Sequence, residues 1–98
     1  MDSDFRAFLR NYGQTLSPVV MVGKNGFDDR VAAHLDLALK AQELVKVRFQ
    51  SHKEDAETIG HQLADKVGGE VITKVGFNLL IYRDGEHHLL QEKYQKRS

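Results

Sequence analysis

The sequence predicts an α/β (α+β) fold in two layers, helices packed on a mixed four-stranded sheet, and three observations carry that prediction. Apolar residues recur at helical spacing in three segments. One segment between them alternates strictly between apolar and polar residues, the period of a strand with one buried face. Glycine or proline stands at the changes of period around the first strand and after the third helix. The resulting order is α-β-α-β-α-β-β, and at 98 residues the chain makes one domain, residues 1–98, with a single modest core.

Phe5, Phe8, Leu9 and Tyr12 fall on one face of a first helix, which Asp2 or Ser3 can cap and Gly13 can end. Pro18 holds Ser17 extended, and Val19 to Val22 read as a buried strand. A second helix, from about Asp29 to Gln42, carries Val31, Leu35, Ala38 and Leu39 inward and has Asp28 at its N-cap. From Leu44 to Gln50 the residues alternate, with Val45, Val47 and Phe49 inward and Lys46, Arg48 and Gln50 outward. Ser51-His-Lys-Glu54 matches a capping box and opens a third helix. Its stripe is Ala56, Ile59, Leu63, Ala64 and Val67, and Gly68-Gly69 stops it. Two strands follow, about Glu70–Val75 and Asn78–Arg83, turning at Gly76. The tail, 84–98, leaves alternatives open: a hairpin at Asp84-Gly85 into a short strand over His87–Leu90, a helix, or a flexible end.

Composition narrows the function classes. With 41% hydrophobic and 29% charged residues the chain is that of a water-soluble globular domain. It has no cysteine, so neither disulfides nor thiolate metal sites. No apolar run reaches the roughly 18 residues of a membrane span, and Met1-Asp-Ser-Asp is no signal peptide. A cytoplasmic monomer is expected. The five histidines lack metal-ligand spacing, no Walker loop is present, and no nucleophile–base pattern is recognisable. No enzyme activity, metal or cofactor is therefore expected. Net charge is formally zero but segregated. Residues 54–70 carry Glu54, Asp55, Glu57, Asp65 and Glu70 against Lys66, whereas residues 44–53 carry Lys46, Arg48 and Lys53 with no acid. A neutral protein can still present a basic face.

The segment Pro18-Val-Val-Met-Val-Gly-Lys-Asn-Gly-Phe27 runs from a strand through a Gly-x-x-Gly loop to a capped helix. Glycines let a backbone approach closely, and a helix N-terminus points amide hydrogens outward, so this geometry can hold a phosphate. Lys24 adds a point charge and Asn25 an amide donor between Gly23 and Gly26. A tight strand-to-helix turn is the plainer reading of the same glycines.

Leu16-Ser-Pro-Val-Val-Met-Val-Gly-Lys-Asn-Gly-Phe27, then Val31, Leu35, Ala38-Leu39 and Glu43-Leu-Val-Lys-Val47, closely resembles the CRM domain of chloroplast RNA-splicing and ribosome-maturation proteins. The match continues through Leu63-Ala64, Gly68, Gly76 and Leu80-Ile-Tyr-Arg83, so it covers about Phe5 to Arg83. Stand-alone bacterial members, the YhbY-like proteins, have about this length. The resemblance implies a fold similar to the C-terminal domain of translation initiation factor three. It also implies RNA as partner: association with the precursor of the large ribosomal subunit, or intron splicing. Gly13 stands where the family commonly has a better helix former, which would end the first helix early. The GxxG loop shares its chemistry with the backbone-clamping loop of KH domains but follows a strand here.

Within that frame the expected RNA contacts are Gly23, Lys24, Asn25, Gly26, Lys46 and Arg48, with Arg83 at the end of the last strand and Arg6 and Arg10 on the first helix. Each cation can equally be surface decoration. Lys74 is a weaker candidate of the same kind. Phe27 reads as a hydrophobic staple before the second helix, and Tyr12 and Tyr82 as core. The rival to RNA binding is a protein-interaction module, motivated by net neutrality and acidic helices.

Overall fold

The computed structural model describes residues 1–97. Asp2 caps α1 (Ser3–Gly13) by accepting the Asp4 amide hydrogen. β1 (Val20–Val22) leads through the glycine loop into α2 (Asp29–Gln42), where Asp28 Oδ1 accepts the Val31 amide at 2.9 Å. β2 (Leu44–Phe49), α3 (Ala56–Val67), β3 (Glu70–Val75) and β4 (Asn78–Tyr82) follow in the expected order. The sheet runs β1-β2-β4-β3. β1 and β2 are parallel, joined by α2, and β4 lies antiparallel between β2 and β3.

The α+β class and mixed sheet are as the sequence predicts, but helices cover both faces, so the two expected layers become three over part of the sheet. Leu79 and Ile81 of β4 join Val45, Val47 and Phe49 under α2 and α3. Leu80 and Tyr82, on its other face, join Leu44, Phe5, Leu9 and Leu90. A strand apolar on both faces needs cover on both. Two glycines permit the close fit: a Cβ at Gly13 would collide with Leu80, and one at Gly60 with Leu79. Gly13 therefore ends α1 where the helix end presses on β4, a packing reason and not a propensity one.

One local expectation is corrected, and one left open is resolved. The Ser51–Glu54 capping box does not form: a 3₁₀ turn (Lys53–Asp55) precedes α3 and no side chain caps either. His52 is left-handed there, with φ of 56° and its ring turned toward the glycine loop. The tail is neither strand nor loose end across its described residues, because Leu89–Lys96 form α4. Glu43 holds it. Its buried carboxylate accepts the Leu89 and Leu90 amides at 3.0 and 3.1 Å, acting as a cap from 46 residues away in sequence. Leu90 and Tyr94 then pack with Phe5 and Phe8, the Tyr94 ring 5.2 Å from that of Phe5. Beneath them Tyr82 is buried as expected, and burial pushes its phenol far above the ordinary range.

Candidate functional site

β1 and β2 end side by side, and the loops leaving them form one rim with the β3–β4 turn, whose Phe77 carbonyl accepts the Phe49 amide at 2.8 Å. The first rim loop is Gly23–Gly26, closed by the Gly26 amide donating to the Gly23 carbonyl at 3.0 Å. Gly26 has φ of 60°, a conformation that side chains with a Cβ rarely adopt, and a Cβ there would press on the His52 ring. At Gly23 a Cβ would meet nothing, so the turn itself does not demand glycine at that position. Lys24 and Asn25 project between them, both exposed.

His52 fixes the loop. Its Nε2 lies 2.6 Å from the Lys24 carbonyl oxygen, which can only accept, so Nε2 carries the proton. Next to it Lys53 places its ammonium 4.5 Å from the centre of the Phe77 ring. Phe77 is 52% exposed. Arg48, Gln50, Lys53, Phe77 and Asn78 line a groove of about 380 Å³ running from the rim along the sheet. Lys46 continues the same face in a recess with Gly13, Val75 and Asn78. This half of the face lies past the end of α1, which is why Met21 and Val75 stay exposed beside the two cations. Among the described residues Lys24, Lys46, Arg48 and Lys53 form no ion pair with a carboxylate.

The structure brings six of the nine expected contacts, Gly23, Lys24, Asn25, Gly26, Lys46 and Arg48, to this end of the sheet. The three arginines lie elsewhere. Arg83 follows β4, whose Tyr82 pairs with Leu44 at the opposite end of β2, roughly 17 Å away at about 3.3 Å per strand residue. There it is committed internally: Nη1 donates to Asp36 Oδ1 at 2.7 Å and to the Val67 carbonyl at 2.8 Å, and Nη2 to the Asp36 carbonyl. The Nη1 hydrogen bond to Oδ1 holds the Asp36 carboxyl below the usual carboxylate value. Arg6 is likewise spent, paired with Glu70 and donating to the Val71 and Ile72 carbonyls at the β3 edge. Both arginines tie elements of the fold together, away from the other six. Arg10 is exposed one helical turn beyond Arg6. Phe27, expected to staple α2, keeps 38% of its surface exposed.

His52, Phe77 and Asn78 escaped sequence reasoning as site residues, and Lys53 entered only through its charge. The available signal was the acid-free run from Leu44 to Lys53; nothing local ties Phe77 to it.

Comparison with known proteins adds the following. Residues 1–83 match the CRS1 / YhbY (CRM) domain. A Haemophilus influenzae protein named "RNA-binding protein" is 30% identical over 87 residues, covering 88% of either chain. The Bacillus subtilis "Probable RNA-binding protein YqeI" is 27% identical, over 85% of this chain and 88% of its own. The solution structure of a hypothetical protein from Staphylococcus aureus superposes with a TM-score of 0.74 at 24% identity, over 85% of this chain and 88% of that one. That likeness establishes a shared fold.

Proposed function

This chain is a member of the CRS1 / YhbY (CRM) domain family, and from that premise we propose that it binds RNA at the rim formed by the glycine loop and the uncovered half of the sheet. The observation that carries this reading is the His52-pinned Gly23–Gly26 loop with Lys24 exposed on it, continuous with Lys46 and Arg48. Among the described residues Lys24, Lys46 and Arg48 supply positive charge unmatched by ion-paired carboxylates. The empty space beside Gly23 lets a sugar-phosphate backbone come close. Two relatives named for RNA binding support the same partner. The loop amides, Asn25 and the three cations hold phosphates, and the protein acts by binding, without catalysis.

We further propose that the RNA is ribosomal, carried in precursors of the large subunit, and that the protein assists their assembly as a cytoplasmic monomer. Sucrose-gradient fractionation of a lysate at low and high salt tests this. Co-migration with large-subunit precursors, released by salt, is the expected result; residence at the top of the gradient at both salts contradicts it. In purified form, the logarithm of RNA affinity should fall with that of salt by about 0.7–0.9 per phosphate held. Lys24→Glu should make that slope shallower by about one.

Leu37, 63% exposed on α2, favours a second reading in which that helix docks on a protein partner. Loss of particle association in Leu37→Ser, with RNA affinity intact, would select it.

A further inference from the structure

Phe77 is a large aromatic ring on a tight turn, more than half exposed, which no packing role in the core explains. We infer that Phe77, with Lys53, Arg48 and Asn78, forms a subsite for one unpaired nucleobase, next to the phosphate-holding loop. This inference rests on the RNA-binding reading of that rim and names the part of the ligand it takes.

Four features carry it. The Lys53 ammonium lies 4.5 Å from the ring's centre, so what covers that face is one exposed side chain and not the core. A base can replace the ammonium on that face, gaining stacking, while Lys53 moves to a flanking phosphate. The groove lining includes two cations, Arg48 and Lys53, and no carboxylate, which suits a polyanion and disfavours an acidic or neutral peptide. Asn78 lines the groove too, and its Oδ1 is enclosed without a hydrogen-bond partner among the described residues. That oxygen is closed to solvent as it stands, so a base edge reaches it once the Asn78 side chain turns into the groove. Finally, Phe77 and the glycine loop are mechanically joined. His52 holds the Lys24 carbonyl, Lys53 follows it in sequence, and the Phe77 carbonyl is bonded to β2. A strand whose phosphates lie on the loop is thus led past the ring.

The test uses the whole protein and two probes: a short unpaired oligoribonucleotide, and the same strand with abasic sugars, which keeps the phosphates and removes the bases. Phe77→Ala should weaken binding of the intact strand by about fivefold to a hundredfold, the range of base–aromatic stacking. It should leave the abasic strand unchanged, and Phe77→Tyr should restore affinity. Lys24→Glu should weaken both probes. The chain has no tryptophan, so Phe77→Trp gives a reporter whose fluorescence the intact strand should quench and the abasic strand should not. If Phe77→Ala binds both probes like the parent while Lys24→Glu is impaired, the base subsite is wrong and the phosphate site stands. If the parent protein binds neither probe, both readings fall.

Discussion

The two ends of β2 make an instructive pair. At the Leu44 end, α1 and α4 close over the sheet, and three charged side chains there have partners within the fold. Glu43 caps α4, Arg83 is bound to Asp36 and two carbonyls, and Arg6 is paired with Glu70. At the Phe49 end the helices stop short, and Lys46, Arg48, Lys53 and Lys24 stand without carboxylate partners among the described residues. The same residue types are therefore structural at one end and available at the other. What separates them is not charge but whether the fold supplies a partner, because a guanidinium already donating to a carboxylate and to backbone carbonyls has fewer donors left for a phosphate.

The largest effect should come from breaking the closed end. Glu43→Ala leaves two amides at the start of α4 without acceptors and should cost about 3 kcal/mol, read from urea unfolding. RNA affinity should stay within twofold. A loss under about 1 kcal/mol would mean that α4 is held by its apolar contacts alone.

A reversed charge at the open end should do the opposite. Lys24→Glu should lower RNA affinity about tenfold, ~1.4 kcal/mol, in a titration at fixed low salt. Its unfolding free energy should move by less than about 0.5 kcal/mol, since the side chain is exposed. Equal loss of stability and affinity would erase the distinction between the two ends.

The two loop glycines sharpen the contrast within the open end. Gly26→Ala should destabilise the fold by about 1–2 kcal/mol, because its positive φ penalises a Cβ that would also press on His52. Gly23→Ala should be near neutral for stability, within ~0.5 kcal/mol, yet lower RNA affinity by occupying the space a backbone would use. Thermal melts and RNA titrations of the two variants separate these outcomes; similar behaviour in both assays would refute the assignment.

The smallest effect is acid sensitivity at the closed end. The Arg83 hydrogen bond lowers the folded-state value of Asp36, so the stabilisation is present above the ordinary carboxylate value near 3.8 and is lost as pH falls through the lower folded value. Arg83→Met should flatten that part of the acid limb of stability against pH while leaving RNA affinity unchanged. A weakened RNA complex in this variant would return Arg83 to the binding site.

Much of this was legible in the sequence because it is local. The Asp28 cap, the alternation in β2 and the apolar stripes each depend on neighbours within a turn or two, and the elements through β4 follow from them. The Leu79–Tyr82 run is apolar without alternation, the pattern of a strand covered on both faces, as this one is. Failures came where a distant partner decided the outcome. The tail becomes helical because Glu43, far back in the chain, caps it. The Ser51–Glu54 box yields because the His52 ring finds the Lys24 carbonyl. Arg83 reads as a free cation until α2 brings Asp36 beside it. Lys46 and Arg48 were legible as outward-facing, but their exposure depends on where α1 ends, and Gly13 against Leu80 settles that.

The most direct test of the central claim is to map amide chemical shifts of isotopically labelled protein during titration with unpaired RNA at low salt. The account predicts shifts concentrated on Gly23 to Asp28, Lys46 to Lys53 and Val75 to Asn78, with Glu43, Arg83 and α4 silent. Shifts centred on Arg83, Arg6 or the outer face of α2, with the glycine loop unmoved, would contradict it.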